Sequence, residues 1–217
     1  MRATTLKDAR VLGLCPSVTT IIKAAAAPGL TNWMVDQGIM AALTLPREPG
    51  LSDTEWLARI KKDSQEQAVK AAERGTEIHA QIERYYAGQL YAEGGPTEPV
   101  LMVAHAIEDK WGLTKFPQTE LAFADPLGFG GKSDLLNDYS GSPELLIDIK
   151  TKHPWTDSKK LTYEEHLLQL AAYRFGLGRP KATCCNIFVS RSATWQVYIH
   201  EWSEEELLRG GRMFRYP

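Results

Sequence analysis

Residues 144–151 read Glu-Leu-Leu-Ile-Asp-Ile-Lys-Thr, a strand-length apolar run with two opposite charges, Asp148 and Lys150, set two positions apart. A run this apolar belongs in the middle of a sheet, covered on both faces. Charges are costly there unless something pairs with them. Upstream lies a second alternating segment, Phe129–Leu136, joined to the first by Tyr139-Ser140-Gly141-Ser142-Pro143, a stretch of turn formers. Folding the hairpin about Gly141 makes facing residue numbers sum to twice that position. Asp134 then lies opposite Asp148, and opposite residues share a face of the sheet. Lys150, two positions beyond Asp148, points to the same face. Two carboxylates and one ammonium are therefore expected within about 8 Å of one another, and a one-residue slip of register would undo the arrangement.

Around this hairpin the sequence changes texture once, at Pro117. Before it the pattern is helical. Ser17 is placed to cap a helix through Ala27, closed by Pro28-Gly29, and Thr31 a second helix to about Leu45. Ser52 with Glu55 forms a capping-box pattern opening a long helical stretch to about Ala87, which Gly75 interrupts, giving two helices or one kinked helix. A further helix follows Pro96 and runs to Trp111. After Pro117, strands are expected at Thr119–Ala124, Phe129–Leu136 and Glu144–Thr151, then a helix over Leu161–Leu177. Two more strands follow at Thr183–Val189 and Trp195–Glu201, and Ser203 with Glu206 opens a last helix. The predicted class is α/β (α+β): a mixed sheet flanked by helices, with a helical N-terminal half. A single domain is expected over 1–217, about 1–115 helical and about 116–217 containing the sheet.

Composition narrows the alternatives. No apolar run approaches membrane-spanning length, and the start of the chain has no signal-like apolar region, so an intracellular protein without a membrane partner is expected. Three cysteines, Cys15, Cys184 and Cys185, are too few for a disulfide framework, and the adjacent pair on a strand would face opposite ways. A net charge of −2 argues against bulk electrostatic binding of nucleic acid. Two local basic groups stand against that: Lys150, Lys152, His153, Lys159 and Lys160, and then Arg209, Arg212 and Arg215.

The three converging charges have two readings. One is a structural salt bridge in a buried strand. The other is a metal centre, because apposed carboxylates repel unless a cation lies between them, and oxygen ligands at this spacing suit Mg²⁺ or Mn²⁺. Two helical patterns accompany them. Gly75, His79 and Glu83 recur at i,i+4 on one face, as do Gln169 and Tyr173.

Taken together, Gly75/His79, Asp134, Asp148/Lys150 and Gln169/Tyr173, in that order, resemble the RecB-like exonuclease branch of the PD-(D/E)XK nuclease superfamily over about Pro16 to Glu201. The stretch Pro16-Ser17-Val18-Thr19-Thr20-Ile21-Ile22, followed by Leu30-Thr31-Asn32-Trp33, looks like phage and mitochondrial genome maintenance exonucleases. The resemblance implies a restriction-endonuclease-like αβββαβ core and a Mg²⁺- or Mn²⁺-dependent DNA exonuclease working on single-stranded or end-exposed DNA. It implies metal ligation by His79, Asp134, Asp148 and the carbonyl of Ile149, and catalysis by Lys150 with the two aspartates. Gln169, Tyr173 and Lys152 would contact substrate, with Glu120 and Glu83 as outer carboxylates. Two features depart from the family's pattern: Ser133 stands where the name-giving proline would be, and Asp148 replaces the more frequent glutamate. Relatives with an iron–sulfur cluster use four cysteines, so no cluster is expected here. A structure-specific endonuclease on the same core and a DNA-binding module that has lost catalysis are the competing readings.

Overall fold

The computed structural model of the chain describes residues 11–25, 28–89, 95–192 and 194–215. Five strands form one mixed sheet in the order β1-β2-β3-β4-β5: β1 Gln118–Asp125, β2 Phe129–Asn137, β3 Leu145–Lys152, β4 Thr183–Ser190 and β5 Val197–Glu201. All neighbours run antiparallel except β3 and β4, which are parallel and joined through helix α5, Glu164–Gly176. Ahead of the sheet come α1 Val18–Ala25, α2 Pro28–Thr44, α3 Asp53–Tyr86 and α4 Glu98–Trp111, and α6 Glu204–Arg215 closes the chain. The core thus has the expected αβββαβ order, with helices on both faces of the sheet.

Side-chain alternation along β3 and β4 distributes two separate cores. Leu145, Ile147 and Ile149 pack with Cys185, Ile187 and Val189 against Ile78, Ile82 and Tyr86 of α3 and Val100, Val103 and Ile107 of α4. Leu146 and Cys184 face the other way, toward Val18 and Ile22 of α1, Leu167, Leu170 and Tyr173 of α5, and Leu207 of α6. The adjacent cysteines lie on opposite faces, both buried and both free thiols, and burial pushes the Cys184 thiol up to about 12. By the same alternation Asp148 and Lys150 belong to the α5 face.

Helix boundaries follow local chemistry more closely than they follow the hydrophobic pattern. The Ser52–Glu55 capping box is formed in both directions at the start of α3, and Ser17 accepts the N–H of Thr20 ahead of α1. The expected extension of α1 to Ala27 lies outside the described residues. Helix α2 begins at Pro28 rather than after Thr31, since proline is pre-set for the first helical position. Helix α5 begins only at Glu164, because residues 158–160 form a 3₁₀ turn, and β5 starts at Val197 rather than Trp195.

Gly75 does not divide α3, which runs as one helix of 34 residues. Its role is close approach: a Cβ at Gly75 would lie 2.6 Å from Oγ1 of Thr151 on β3. Glycine here costs about 1 kcal/mol of helix propensity relative to alanine, and it brings the helix down onto the strand that carries Asp148 and Lys150. Gly75→Ala is therefore expected to stabilise the protein by about 1 kcal/mol only when Thr151→Ala has removed the opposing hydroxyl. In the wild-type background that gain should be cancelled or reversed. Additive effects in a denaturant-unfolding double-mutant cycle would show that the two residues do not meet.

Candidate active site

The hairpin adopts the register expected from a fold about Gly141: Leu135 pairs with Ile147, Leu136 with Leu146, and Asn137 with Leu145. The paired ladder ends there, one step short of Asp134 and Asp148. In place of a strand carbonyl, Oδ2 of Asp134 accepts the backbone N–H of Ile149 at 2.6 Å. On the other side of β2 the pairing also skips this level, passing from Thr119↔Leu135 to Leu121↔Ser133. Glu120, at the gap, has φ +53°, the only positive φ outside glycine among the described residues. Such backbone costs about 1–3 kcal/mol and persists where surrounding structure holds it. Asp134 thus occupies a place where β2 has let go of both neighbours.

Asp148, only 3% exposed, is held by three donors from three elements. Lys150 Nζ lies 3.0 Å from Oδ1 and 2.8 Å from Oδ2. Gln169 Nε2 of α5 donates to Oδ1 at 2.8 Å, and Asn186 Nδ2 of β4 to Oδ2 at 2.7 Å. The network extends outward: Lys150 also donates to Gln169 Oε1 at 2.9 Å, and Gln169 Nε2 donates to the Tyr173 hydroxyl at 3.1 Å. Tyr173 reaches this position over Gly131 of β2, where a Cβ would lie 2.5 Å from its ring.

Electrostatics follow from the crowding. Burial, then the charge of Asp148, raise the pKa of Asp134 to about 7, against the lowering effects of the Ile149 N–H, Lys150 and Lys132. Burial works to lower Lys150, but Asp148 and Asp134 outweigh it, and the ammonium is held above its ordinary pKa. His79, on α3, stands with Nδ1 3.7 Å from Asp134 Oδ2, and burial lowers its pKa, favouring the neutral imidazole that a metal requires. Burial and Asp148 raise the Tyr173 phenol.

Among the residues singled out from sequence, Asp134, Asp148, Lys150, Gln169, Tyr173 and His79 are brought together. Glu120 lies level with Asp134 at the gap in the β1–β2 ladder and forms an ion pair with Lys132, whose charge also acts on Asp134 and His79; the Glu83 side chain makes no polar contact among the described residues. Among the described residues no three or more His, Cys, Asp or Glu side chains gather as a metal cage, and both oxygens of Asp148 are taken by its three donors. Of the second basic group, Arg209 pairs with Glu164 and Arg215 lies over the ring of Phe175.

Asn186 was missed in the sequence, although the signal was there. It is the one amide in the apolar run Thr183–Val189 and sits level with Asp148 in the parallel register. Its orientation is decided by Trp202, whose indole can only donate. Trp202 Nε1 donates to Asn186 Oδ1 at 2.8 Å, which turns the amide NH₂ toward Asp148.

No family model matches the chain, and no curated protein does. Among solved structures, a provisionally assigned exonuclease from Eubacterium rectale superposes with a TM-score of 0.44 at 13% identity, covering 65% of this chain and 63% of that one. SSO0001 superposes with a TM-score of 0.33 at 14% identity, covering 86% and 85%. The chain spans less than two thirds of the Eubacterium rectale protein. Neither likeness assigns a chemistry.

The raised carboxyl sets a pH dependence. Asp134 binds its proton more tightly folded, at about 7, than an unfolded aspartate does at about 3.9. Its contribution to stability is complete below about pH 4 and is lost as pH rises through 7. In metal-free protein, Asp134→Asn should raise the melting temperature at pH 8 and change it little at pH 4, because the amide oxygen can still accept the Ile149 N–H. A shift of equal size at both pH values would mean that the carboxyl titrates normally.

Proposed function

We propose that this protein is a divalent-cation-dependent deoxyribonuclease, an exonuclease acting on single-stranded or end-exposed DNA in replication, recombination or repair. One observation carries the reading: a buried Asp148 and its partly buried partner Lys150 on the central strand stand beside a carboxyl, Asp134, that burial and the charge of Asp148 hold at a pKa of about 7. A salt bridge between Asp148 and Lys150 is complete without Asp134. A second, partly buried carboxylate adds repulsion to that pair, and a bound cation relieves it.

His79, Asp134, Asp148 and the Ile149 carbonyl would hold a Mg²⁺ or Mn²⁺ ion, a set of oxygens with one imidazole, once Asp148 exchanges one of its present donors for the cation. When bound, a divalent cation polarises a phosphodiester and lowers the pKa of an attacking water. The chain's own groups supply the rest. Lys150 is kept charged and aimed by Asp148 and Gln169, and it donates to charge that develops on the phosphoryl oxygens or the water. Gln169 holds Asp148 and Lys150 in one geometry, and Asn186 fixes the far oxygen of Asp148. Tyr173 accepts from Gln169 through its oxygen, leaving its own proton for a substrate phosphate.

Two experiments test this. End-labelled linear DNA should be degraded with Mn²⁺ or Mg²⁺ and spared in EDTA, while a closed circle of the same sequence survives. Cutting of the circle would make the enzyme an endonuclease, and cleavage in EDTA would remove the metal mechanism. Lys150→Ala should lower the single-turnover rate by about a hundredfold or more, comparable to losing an oxyanion donor, with only a modest loss of DNA affinity. A loss confined to affinity would place Lys150 in binding and not in chemistry.

A further inference from the structure

A groove of about 710 Å³ opens directly beside Lys150. Ala68, Ala71 and Ala72 of α3 line it, and past Arg191 and Thr151 it meets a second concavity lined by Gly75, Thr76 and His79 of the same helix; the six residues are spaced i, i+3, i+4, i+7, i+8 and i+11, on one face. The charged groups of the groove are mostly cationic. Lys23, Lys150, Lys152 and Arg191 line it against a single carboxylate, Glu165, on a chain whose net charge is −2. Lys23, Lys152 and Arg191 form no ion pair among the described residues. Lys152 and Arg191 are also partly buried, and burial lowers the pKa of both. Holding unpaired cations half out of water is unfavourable, and a polyanion offsets it.

The groove also carries an aromatic surface. Tyr163, 40% exposed at the rim, lies beneath Lys152, whose Nζ sits 4.6 Å from the ring centroid. Cations interleaved with an accessible ring are the means by which proteins hold single strands, phosphates on the charges and bases on the ring. The volume, about 710 Å³, is that of a small-molecule pocket and suits a few nucleotides of one strand.

We propose that this groove is the path of a single DNA strand, with Arg191 and Lys152 on its phosphates and Tyr163 stacking on a base, leading the strand to Lys150. The proposal rests on the nuclease reading for the location of the reacting phosphate. The strand path itself can be measured without catalysis.

The experiment is equilibrium binding of a fluorescent oligothymidylate to the whole protein in EDTA, across a series of salt concentrations. A duplex of equal length serves as comparison. The single strand should bind at least tenfold more tightly than the duplex. Arg191→Gln should weaken that binding by about tenfold and lower the slope of log affinity against log salt by about 0.7, the value of one phosphate contact on a single strand. Arg191→Lys should retain the slope. Tyr163→Ala should weaken binding with the slope unchanged, since stacking involves no counterion, and Tyr163→Trp should restore it. Lys181→Gln removes the same charge from an exposed position just ahead of β4, at the opposite end of the strands, and should leave affinity within twofold. Equal affinity for duplex, or equal losses in Arg191→Gln and Lys181→Gln, would overturn the path. The two readings fail separately. Tight single-strand binding with no cleavage in Mn²⁺ removes the nuclease and keeps the groove. Cleavage with Arg191→Gln binding as the wild type does removes the groove and keeps the nuclease.

Discussion

A carboxylate buried in the central strand of a sheet needs side-chain partners, and much of this architecture serves to bring them to Asp148. One donor, Lys150, comes from β3 itself, and the others come from α5 and β4. Because β4 is parallel to β3, the crossover helix α5 is the element that covers that face, and Gln169 is therefore well placed to reach Asp148 and Lys150 together. Asn186 sits level with Asp148 and is oriented in turn by Trp202, just past β5. An unpaired buried charge costs several kcal/mol, so displacement of β4, β5 or α5 exposes the sheet to that penalty.

The second constraint is the parting of the strands at Asp134. In a regular ladder the Ile149 N–H would bond a Ser133 carbonyl, one step beyond the Asp134–Asp148 pair, and close the sheet over the site. Here the Asp134 side chain takes the Ile149 N–H, and β1 skips the same level at Glu120, whose backbone sits in the left-handed region. No backbone donor need go unpaired for the strands to separate. Gly75 lets α3 settle against Thr151 one turn before His79, so the imidazole approaches Asp134 from the helix that packs on the other sheet face.

These two constraints differ in how far they could be read from the sequence. The hairpin register was legible because a glycine-centred turn leaves few alternatives, and Leu135↔Ile147 obeys the predicted sum. The faces of Cys184 and Cys185 followed from alternation alone, and Ser52–Glu55 from capping chemistry. The break in the ladder was not legible: it depends on a side chain substituting for a carbonyl across the hairpin, and no local pattern encodes that. Gly75 was misread for a related reason. Propensity treats it as a helix breaker, whereas its cause is a threonine 76 positions away. Asn186 could have been found by the reasoning applied to Asp148, as a lone polar residue in an apolar strand. Its partner Trp202 could not, since the pairing arises only when β5 returns beside β4.

The net charge of −2 counts against bulk electrostatic attraction of a nucleic acid, but a total does not describe a local surface. Away from the groove, several basic side chains are matched: Arg174 with Glu204, Arg179 with Asp138 and Glu144, Lys110 with Glu201, and Arg209 with Glu164. Those pairs contribute no net field beyond a Debye length of about 8 Å at physiological salt. Lys23, Lys152 and Arg191, left unpaired, share one concavity walled by alanines, where low-dielectric surroundings concentrate their potential. What a polyanion meets at close range is therefore the local arrangement and not the total. A chain slightly acidic overall can present a cationic channel beside a carboxylate pair, because what counts is where its unpaired cations share a low-dielectric concavity.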